Sequence, residues 1–371
     1  MERSRSYRPG PWSWGWRVAL FTVLVFGLAA AAGTKTPELD ARLLICWNDL
    51  RIPAEDAALL LPPGKEQILR LRGRDQALDL EIADCDGPGF CQGSGAVLGI
   101  RPPKKSGNYL LRVTVTTAPS GRRDDQGASP KDRPQKTFTL HLLVGFPGSA
   151  LQDGRLNGFE LGSYPVEKNQ PWSNQAPAYF YYLDNEALGC PLSLRFKLGD
   201  LGYDGRAPLP QYFTLDYELV KKLELIADEL EARGLPSRFH FIGGGFISPK
   251  SNRVRTGRNS AAANQSRHMW GEAIDFIIDQ NPRDETMDDL NRDGRIDVRD
   301  AFVVRDLVTA LEEAKRCKSG GFGVYSPPRN SQLTMHVDVR GYPTRWGYQE
   351  YDARLFSGVA PKKSLRPGGK R

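Results

Sequence analysis

The chain predicts two folded units, an all-β sandwich followed by an α+β domain with an antiparallel sheet. Three observations predict it. Residues 39–148 carry short alternating apolar runs parted by glycine, proline and charged turns. A helical period appears only further on, at 216–233 and 301–315. Between and after those helices lie short apolar runs at 239–242, 274–278 and 334–339. At 371 residues the chain has room for both units, and its 27 prolines and 38 glycines predict much loop.

The first 32 residues stand apart. Arg3, Arg5, Arg8 and Arg17 precede an apolar run from Val18 to Ala32 that closes on Ala29-Ala30-Ala31-Ala32-Gly33. A positive flank, a short apolar core and small residues at its end describe a secretory signal or an uncleaved membrane anchor. The run falls short of the ~20 residues of a relaxed membrane span, which favours cleavage near Ala32. Either form places the bulk of the protein in the periplasm or cell envelope, with the positive end inside. These arginines supply part of the net charge of +7. The remaining imbalance suits an anionic polymer without demanding one. No basic stripe with interleaved aromatics argues for nucleic acid.

Within 39–148 the strand-like runs are Arg42-Leu-Leu-Ile-Cys, Gln67-Ile-Leu-Arg-Leu-Arg, Leu78-Asp-Leu-Glu-Ile, Tyr109-Leu-Leu-Arg-Val-Thr-Val and Phe138-Thr-Leu-His-Leu-Leu-Val. Their spacing predicts an Ig-like sandwich. No feature of it assigns a protein partner. His141 falls on a strand and is structural, and Pro119 to Lys136 is a polar, charged loop. Cys85 and Cys91 bracket a turn-rich loop and form the expected disulfide; Cys46, Cys190 and Cys317 leave an odd thiol.

Residues 149–189 predict an extended connector or a wrap around the domain that follows, 190–350. There Asp216 to Arg233 is an amphipathic helix stopped by Gly234 and Pro236, and Phe239-His-Phe-Ile a buried strand in which His240 is a core or sheet-face residue. A basic tail, 351–371, ends the chain.

The chemistry concentrates in two short segments. The chain has four histidines. His268 stands in Ser-Arg-His-Met-Trp-Gly-Glu-Ala-Ile-Asp, where Gly271 and Ala273 make a compact turn that brings Asp275 back toward it. His336 stands in Met-His-Val-Asp-Val, where Thr334, His336 and Asp338 alternate with apolar residues and so share one sheet face. Two imidazoles and a carboxylate, His268, Asp275 and His336, are the ligand set of a zinc site with an open fourth position.

Between these segments, Asp289, Asn291, Asp293, Asp297 and Asp300 place oxygen side chains at positions 1, 3, 5, 9 and 12 of a calcium loop. The Arg295 carbonyl serves at 7 and Gly294 makes the sharp turn at 6. Asp300 replaces the usual bidentate Glu, which resembles the loop of dockerin modules. Only one such loop is present, so a structural clamp is expected rather than a docking handle.

The pattern Ser266-x-His268-x-x-Gly271-x-Ala273-x-Asp275 followed by His336-x-Asp338 resembles the zinc-binding signature of D-Ala-D-Ala carboxypeptidases and murein endopeptidases. The likeness runs over residues 190–347 and takes in Leu198-Gly-Asp, Ser248-Pro249 with Asn252, Gly320-Gly-Phe-Gly-Val-Tyr325 and Val339-Arg-Gly-Tyr-Pro-Thr-Arg-Trp346. It implies a zinc peptidase acting on peptide stems or cross-links of peptidoglycan, with Ser266, Arg267 and Tyr325 on the substrate side. Asp338 is implied either as general base or as the group that orients a ligand histidine. The chain departs from the family at two points. Ile247 stands where relatives carry an arginine, leaving Arg253, Arg255, Arg258 or Arg267 to supply that charge, and Leu333 stands where some relatives carry a basic Glu. These departures leave open a rival reading, a silent zinc-stabilised wall-binding module, and the calcium loop leaves open another, a dockerin-like assembly module.

Overall fold

The computed structural model describes residues 43–74, 80–117, 133, 135–165, 175–203, 208–258, 263–326 and 332–348. The expected signal or anchor, the basic tail and almost all of the polar loop lie outside them. Among the described residues no helix is long and apolar enough to cross a membrane.

Strands dominate. In chain order the first part holds β1 (Leu43–Trp47), β2 (Leu50–Pro53), β3 (Ala57–Leu61), β4 (Gln67–Gly73), β5 (Leu80–Asp86), β6 (Phe90–Ser94), β7 (Val97–Arg101), β8 (Gly107–Thr117) and β9 (Gln135–Val144). They form a sheet of order β2-β1-β4-β7-β6 and another of order β3-β9-β8-β5. Pairing is antiparallel except between β3 and β9. β4 shows the period-2 logic plainly: Leu69 and Leu71 are buried while Ile68, Arg70 and Arg72 are exposed. β3 escaped the sequence because Ala57–Leu61 is buried throughout and has no alternation. The turn between β1 and β2 is made by Asn48 and Asp49, both at positive φ (47° and 63°), as a tight hairpin requires. The Cys85–Cys91 disulfide is formed and ties β5 to β6. Cys46, Cys190 and Cys317 are free. Burial, with Asp56 and Asp184 nearby, pushes the Cys190 thiol up to about 11, which keeps it unreactive.

The second part continues with β10 (Phe146–Pro147), β11 (Arg155–Leu156), β12 (Phe159–Glu160), β13 (Tyr179–Leu183), α1 (Leu198–Gly202), β14 (Gln211–Phe213), α2 (Tyr217–Ala232), β15 (Phe239–Phe241), α3 (Pro249–Arg258), β16 (Ala273–Ile278), α4 (Val298–Glu313), β17 (Gly321–Tyr325), β18 (Thr334–Asp338) and β19 (Thr344–Gly347). β13 pairs with both β10 and β14, so the expected connector is built into the fold. Its Leu156, Leu161 and Tyr164 are buried, and the Tyr164 hydroxyl donates to Met269 O at 2.7 Å.

α2 starts where Asp216 accepts from Glu218 N at 2.9 Å and ends before Gly234 at φ 66°. α4 begins three residues ahead of expectation because Asp297 and Asp300 form a capping box. α3 was not foreseen. It is a mostly polar helix without an apolar stripe; the signal lay in Ser248-Pro249, where Ser248 Oγ accepts from Ser251 N at 3.1 Å.

The sheet that matters for function has the order β15-β16-β18-β17-β19, antiparallel except between β17 and β19. Its inner face is apolar: Ile274, Phe276, Met335 and Val337 are all completely buried. Truncating Phe276, whose ring lies 4.8 Å from that of Phe239, is expected to cost about 3–5 kcal/mol in denaturant unfolding. A loss below 1 kcal/mol would contradict the packing.

Apolar residues of both parts belong to one buried cluster. Tyr217 of α2 joins them, accepting from Leu60 N at 2.9 Å and meeting the Trp47 ring edge-on at 4.7 Å.

Candidate metal centre

Register sets the site. Asp275 on β16 lies opposite His336 on β18, Ala273 lies opposite Asp338, and Gly323 on β17 lies opposite His336. Residues opposite one another share a face, so Asp275, His336, Asp338 and Gly323 stand on the side away from the apolar core. His268 arrives from a 3-10 turn, Arg267–Trp270, which closes on Gly271 at φ 64°. No side chain fits there, since a Cβ on Gly271 would collide with the Thr214 carbonyl.

The tautomers follow from the partners. His268 Nδ1 lies 3.1 Å from Gly245 O and must donate to it, which leaves a lone pair on Nε2. That Nε2 is buried without a hydrogen-bond partner, 3.5 Å from Asp275 Oδ1. His336 turns Nε2 to Asp338 Oδ2 at 3.3 Å and Nδ1 to Asp275 Oδ1 at 2.8 Å. With Nε2–H given to Asp338, Nδ1 and the Asp275 oxygen are two acceptors face to face. A cation belongs between them, either a proton or a metal ion.

The charges agree. Burial works against a charged His336, yet Asp275 and Asp338 raise its pKa to about 9. Burial would likewise raise the Asp275 pKa, but the two imidazoles hold its carboxyl well below the usual range. One ligand atom from each of His268, Asp275 and His336 lies within 4.8 Å of the others, so the group can hold a metal ion. His240, 3.9 Å from Asp279, and His141 on β9 lie outside this group.

Asp338 is completely buried beneath His336. Its Oδ1 accepts from Gly321 N at 2.6 Å and from Arg340 N at 3.1 Å, and the Arg340 guanidinium clamps both oxygens. Burial would raise its pKa, but His336 and Arg340 outweigh burial and hold the carboxyl far below the usual range.

Among the arginines left open by Ile247, Arg255 on α3 reaches the group, with Nη2 3.5 Å from Asp275 Oδ2. Arg267 instead pairs with Glu272 at 3.2 Å and is buried, and the Arg258 side chain lies outside the described residues. Ile247 is buried and its N–H donates to His268 O at 3.1 Å, so that position serves the turn through its backbone. Ser266 does the same, its carbonyl accepting from Met269 N at 3.0 Å. Leu333 packs against the apolar core.

Sequence reasoning missed Arg340 and Trp346. The Trp346 ring lies 5.2 Å from that of His336, and its Nε1 donates to the Tyr325 hydroxyl at 2.6 Å. The indole rests on bare backbone, for a Cβ on Gly323 would come within 2.5 Å of it and one on Gly321 within 2.6 Å. The alternation Gly321-Phe-Gly323 was the available signal.

The 289–300 loop has the local turns of a calcium loop. Asp289 accepts from Asp293 N at 3.2 Å and Gly294 N at 2.7 Å, with Gly294 at φ 78°. Several of its carboxylates are taken up by other partners, however. Asp300 turns inward to Leu290 N, Asn291 N and Asp297 N, while Arg299 bridges Asp293 at 2.7 Å and Asp297 at 2.6 Å. The Arg295 backbone N–H is held by Asp293 Oδ1 at 3.0 Å. Among the described residues no three of its carboxylates come together as the His268 group does.

Neither a protein-family model nor a curated protein matches the chain.

Proposed function

We propose that this chain is a zinc peptidase of the D-Ala-D-Ala carboxypeptidase and murein endopeptidase kind, exported to the cell envelope, where it hydrolyses peptide stems or cross-links of peptidoglycan. The observation that carries the reading is the buried, unpartnered Nε2 of His268 facing Asp275 and His336. The signature around those residues points to the substrate class. The finer architecture that goes with this reading is an Ig-like sandwich packed on the peptidase domain.

His268, Asp275 and His336 would hold a zinc ion, which would supply Lewis acidity for a scissile carbonyl and an activated water. The chain's own residues do the rest. Gly245 O and Asp338 fix the two imidazoles in the tautomers that offer Nε2 and Nδ1 inward. Of the two roles open for Asp338, its locked contacts support the orienting one. Arg255, a third exposed, stands beside Asp275 and can turn to an anionic substrate group or a developing oxyanion. Trp346 and Tyr325 wall the site beside His336.

Arg255→Ala is expected to keep its zinc and lose ~10²–10³-fold in turnover, the range seen when an oxyanion donor is removed. Arg255→Lys should recover part of it. Unchanged muropeptide hydrolysis by Arg255→Ala would remove Arg255 from the reaction.

A second reading, a zinc-stabilised wall-binding module without turnover, is favoured by Leu333 and by the engagement of Asp338. Muropeptide hydrolysis that disappears in His268→Ala separates the two. A dockerin-like role has less support, and calcium-dependent capture of a partner protein is its mark.

We also read 289–300 as a calcium clamp on the order of its oxygens, with Arg299 in competition for Asp293 and Asp297. Arg299→Ala is therefore expected to bind calcium more tightly than the wild type in a calorimetric titration. No calcium uptake by either protein at millimolar concentration would end this reading.

A further inference from the structure

Behind Asp338, three charged side chains from three elements meet in the interior. Lys222 lies on the apolar face of α2 and is 0% exposed. Its Nζ donates to Glu312 Oε1 at 2.6 Å, Lys318 O at 3.1 Å and Asp338 O at 3.0 Å. Glu312, on α4, also accepts from Gly320 N at 2.9 Å, and its second oxygen accepts from Arg345 Nη2 at 2.7 Å. Arg345, on β19, gives Nη1 to Gly320 O at 2.9 Å and Thr344 O at 3.2 Å, and Nη2 to Thr309 Oγ1 at 3.1 Å.

Such a cluster is a poor way to gain stability, because desolvating the ions costs about what their attraction returns, and apolar residues of like volume often serve as well. Its backbone targets say more. Lys318 O, Gly320 N, Gly320 O and Asp338 O belong to the segment that leads into β17 and to the end of β18, which meet at the Asp338 carboxylate. The next residue, Gly321, gives its N–H to Asp338 Oδ1 at 2.6 Å, and Asp338 accepts from His336 Nε2 at 3.3 Å. An unbroken series of contacts therefore runs from Lys222, Glu312 and Arg345 to a ligand histidine.

We propose that the Lys222–Glu312–Arg345 cluster is a positioning device for the metal centre. It pins the 318–321 turn against the end of β18, so that Gly321 N–H holds Asp338 in the orientation that keeps the His336 proton on Nε2 and leaves Nδ1 for the ion. The inference rests on the reading of His268, Asp275 and His336 as metal ligands. Its own content is that three residues outside the ligand group set the affinity of that group.

The test is Lys222→Met combined with Glu312→Met in the full chain, which removes both buried charges at nearly constant volume. Arg345→Ala and Arg345→Lys form a milder second pair, since Arg345 is partly exposed. Thermal unfolding followed by circular dichroism should remain cooperative in all of them. Zinc affinity, read by chelator competition, should fall ~10–100-fold in the double variant, the range for partners that orient a ligand. The fall should be smaller in Arg345→Ala and partly reversed in Arg345→Lys, and the visible spectrum of the cobalt-loaded double variant should change with ligand geometry. Folded variants with wild-type zinc affinity and an unaltered cobalt spectrum would overturn the proposal and leave the cluster a structural role. A wild type that takes up no zinc would instead overturn the metal reading beneath it.

Discussion

The purified wild type is expected to hold a single zinc, and His268→Ala, Asp275→Ala and His336→Ala are each expected to lose it. His268 is the most informative of the three. Its Nδ1 is tied to Gly245 O and its Nε2 is buried with no hydrogen-bond partner, so removing the ring takes away one candidate ligand at the cost of the Gly245 contact and of one imidazole beside Asp275. Asp275→Ala does more, because it strips His336 Nδ1 and Arg255 of their common partner. Zinc in excess should stabilise the wild type by about 4 kcal/mol at a thousandfold its dissociation constant. None of that shift should survive in the variants. Metal analysis and thermal unfolding with and without zinc read both effects, and full zinc occupancy in Asp275→Ala would sink the three-ligand assignment.

Asp338→Asn should weaken zinc binding rather than abolish chemistry. An amide at this position must present its NH₂ either to the Arg340 guanidinium or to His336 Nε2–H, both of which are donors. His336 is then free to move its proton to Nδ1, where the ion belongs. Zinc affinity is expected to fall ~10–100-fold, as it does when a partner that orients a ligand is lost. Turnover at saturating zinc should largely recover. The opposite pattern, unchanged zinc affinity with ~10²–10⁴-fold slower hydrolysis, would make Asp338 the general base despite its contacts with Arg340.

The His268, Asp275 and His336 group was legible because its chemistry is written in short segments. The alternation of Thr334, His336 and Asp338 fixed a shared face, and Gly271 marked the turn that returns His268 to Asp275. The partners were not legible. Arg340 reaches Asp338 only because the chain bends after β18, and Trp346 reaches His336 only because β19 lies alongside two glycines of β17. Contacts of that kind depend on strand order, which period and composition leave open. The fold divides in the same way. Alternating strands and the amphipathic helix α2 were visible, whereas the uniformly buried β3 and the mostly polar α3 lack the period that sequence reading relies on. The shared core was hidden for a further reason, since Tyr217 looks from sequence like any helix residue and only packing shows it joining Leu60 and Trp47. In the 289–300 loop the order of oxygens was visible, but not that Arg299 would fold back onto Asp293 and Asp297.

The most direct measurement is digestion of purified sacculi by the zinc-loaded protein, with mass analysis of the released muropeptides beside a chelated sample and His268→Ala. Zinc peptidase activity predicts products shortened by a terminal residue or freed at a cross-link, present only with the zinc-loaded wild type. An unaltered muropeptide profile from a protein shown to hold its zinc would contradict it.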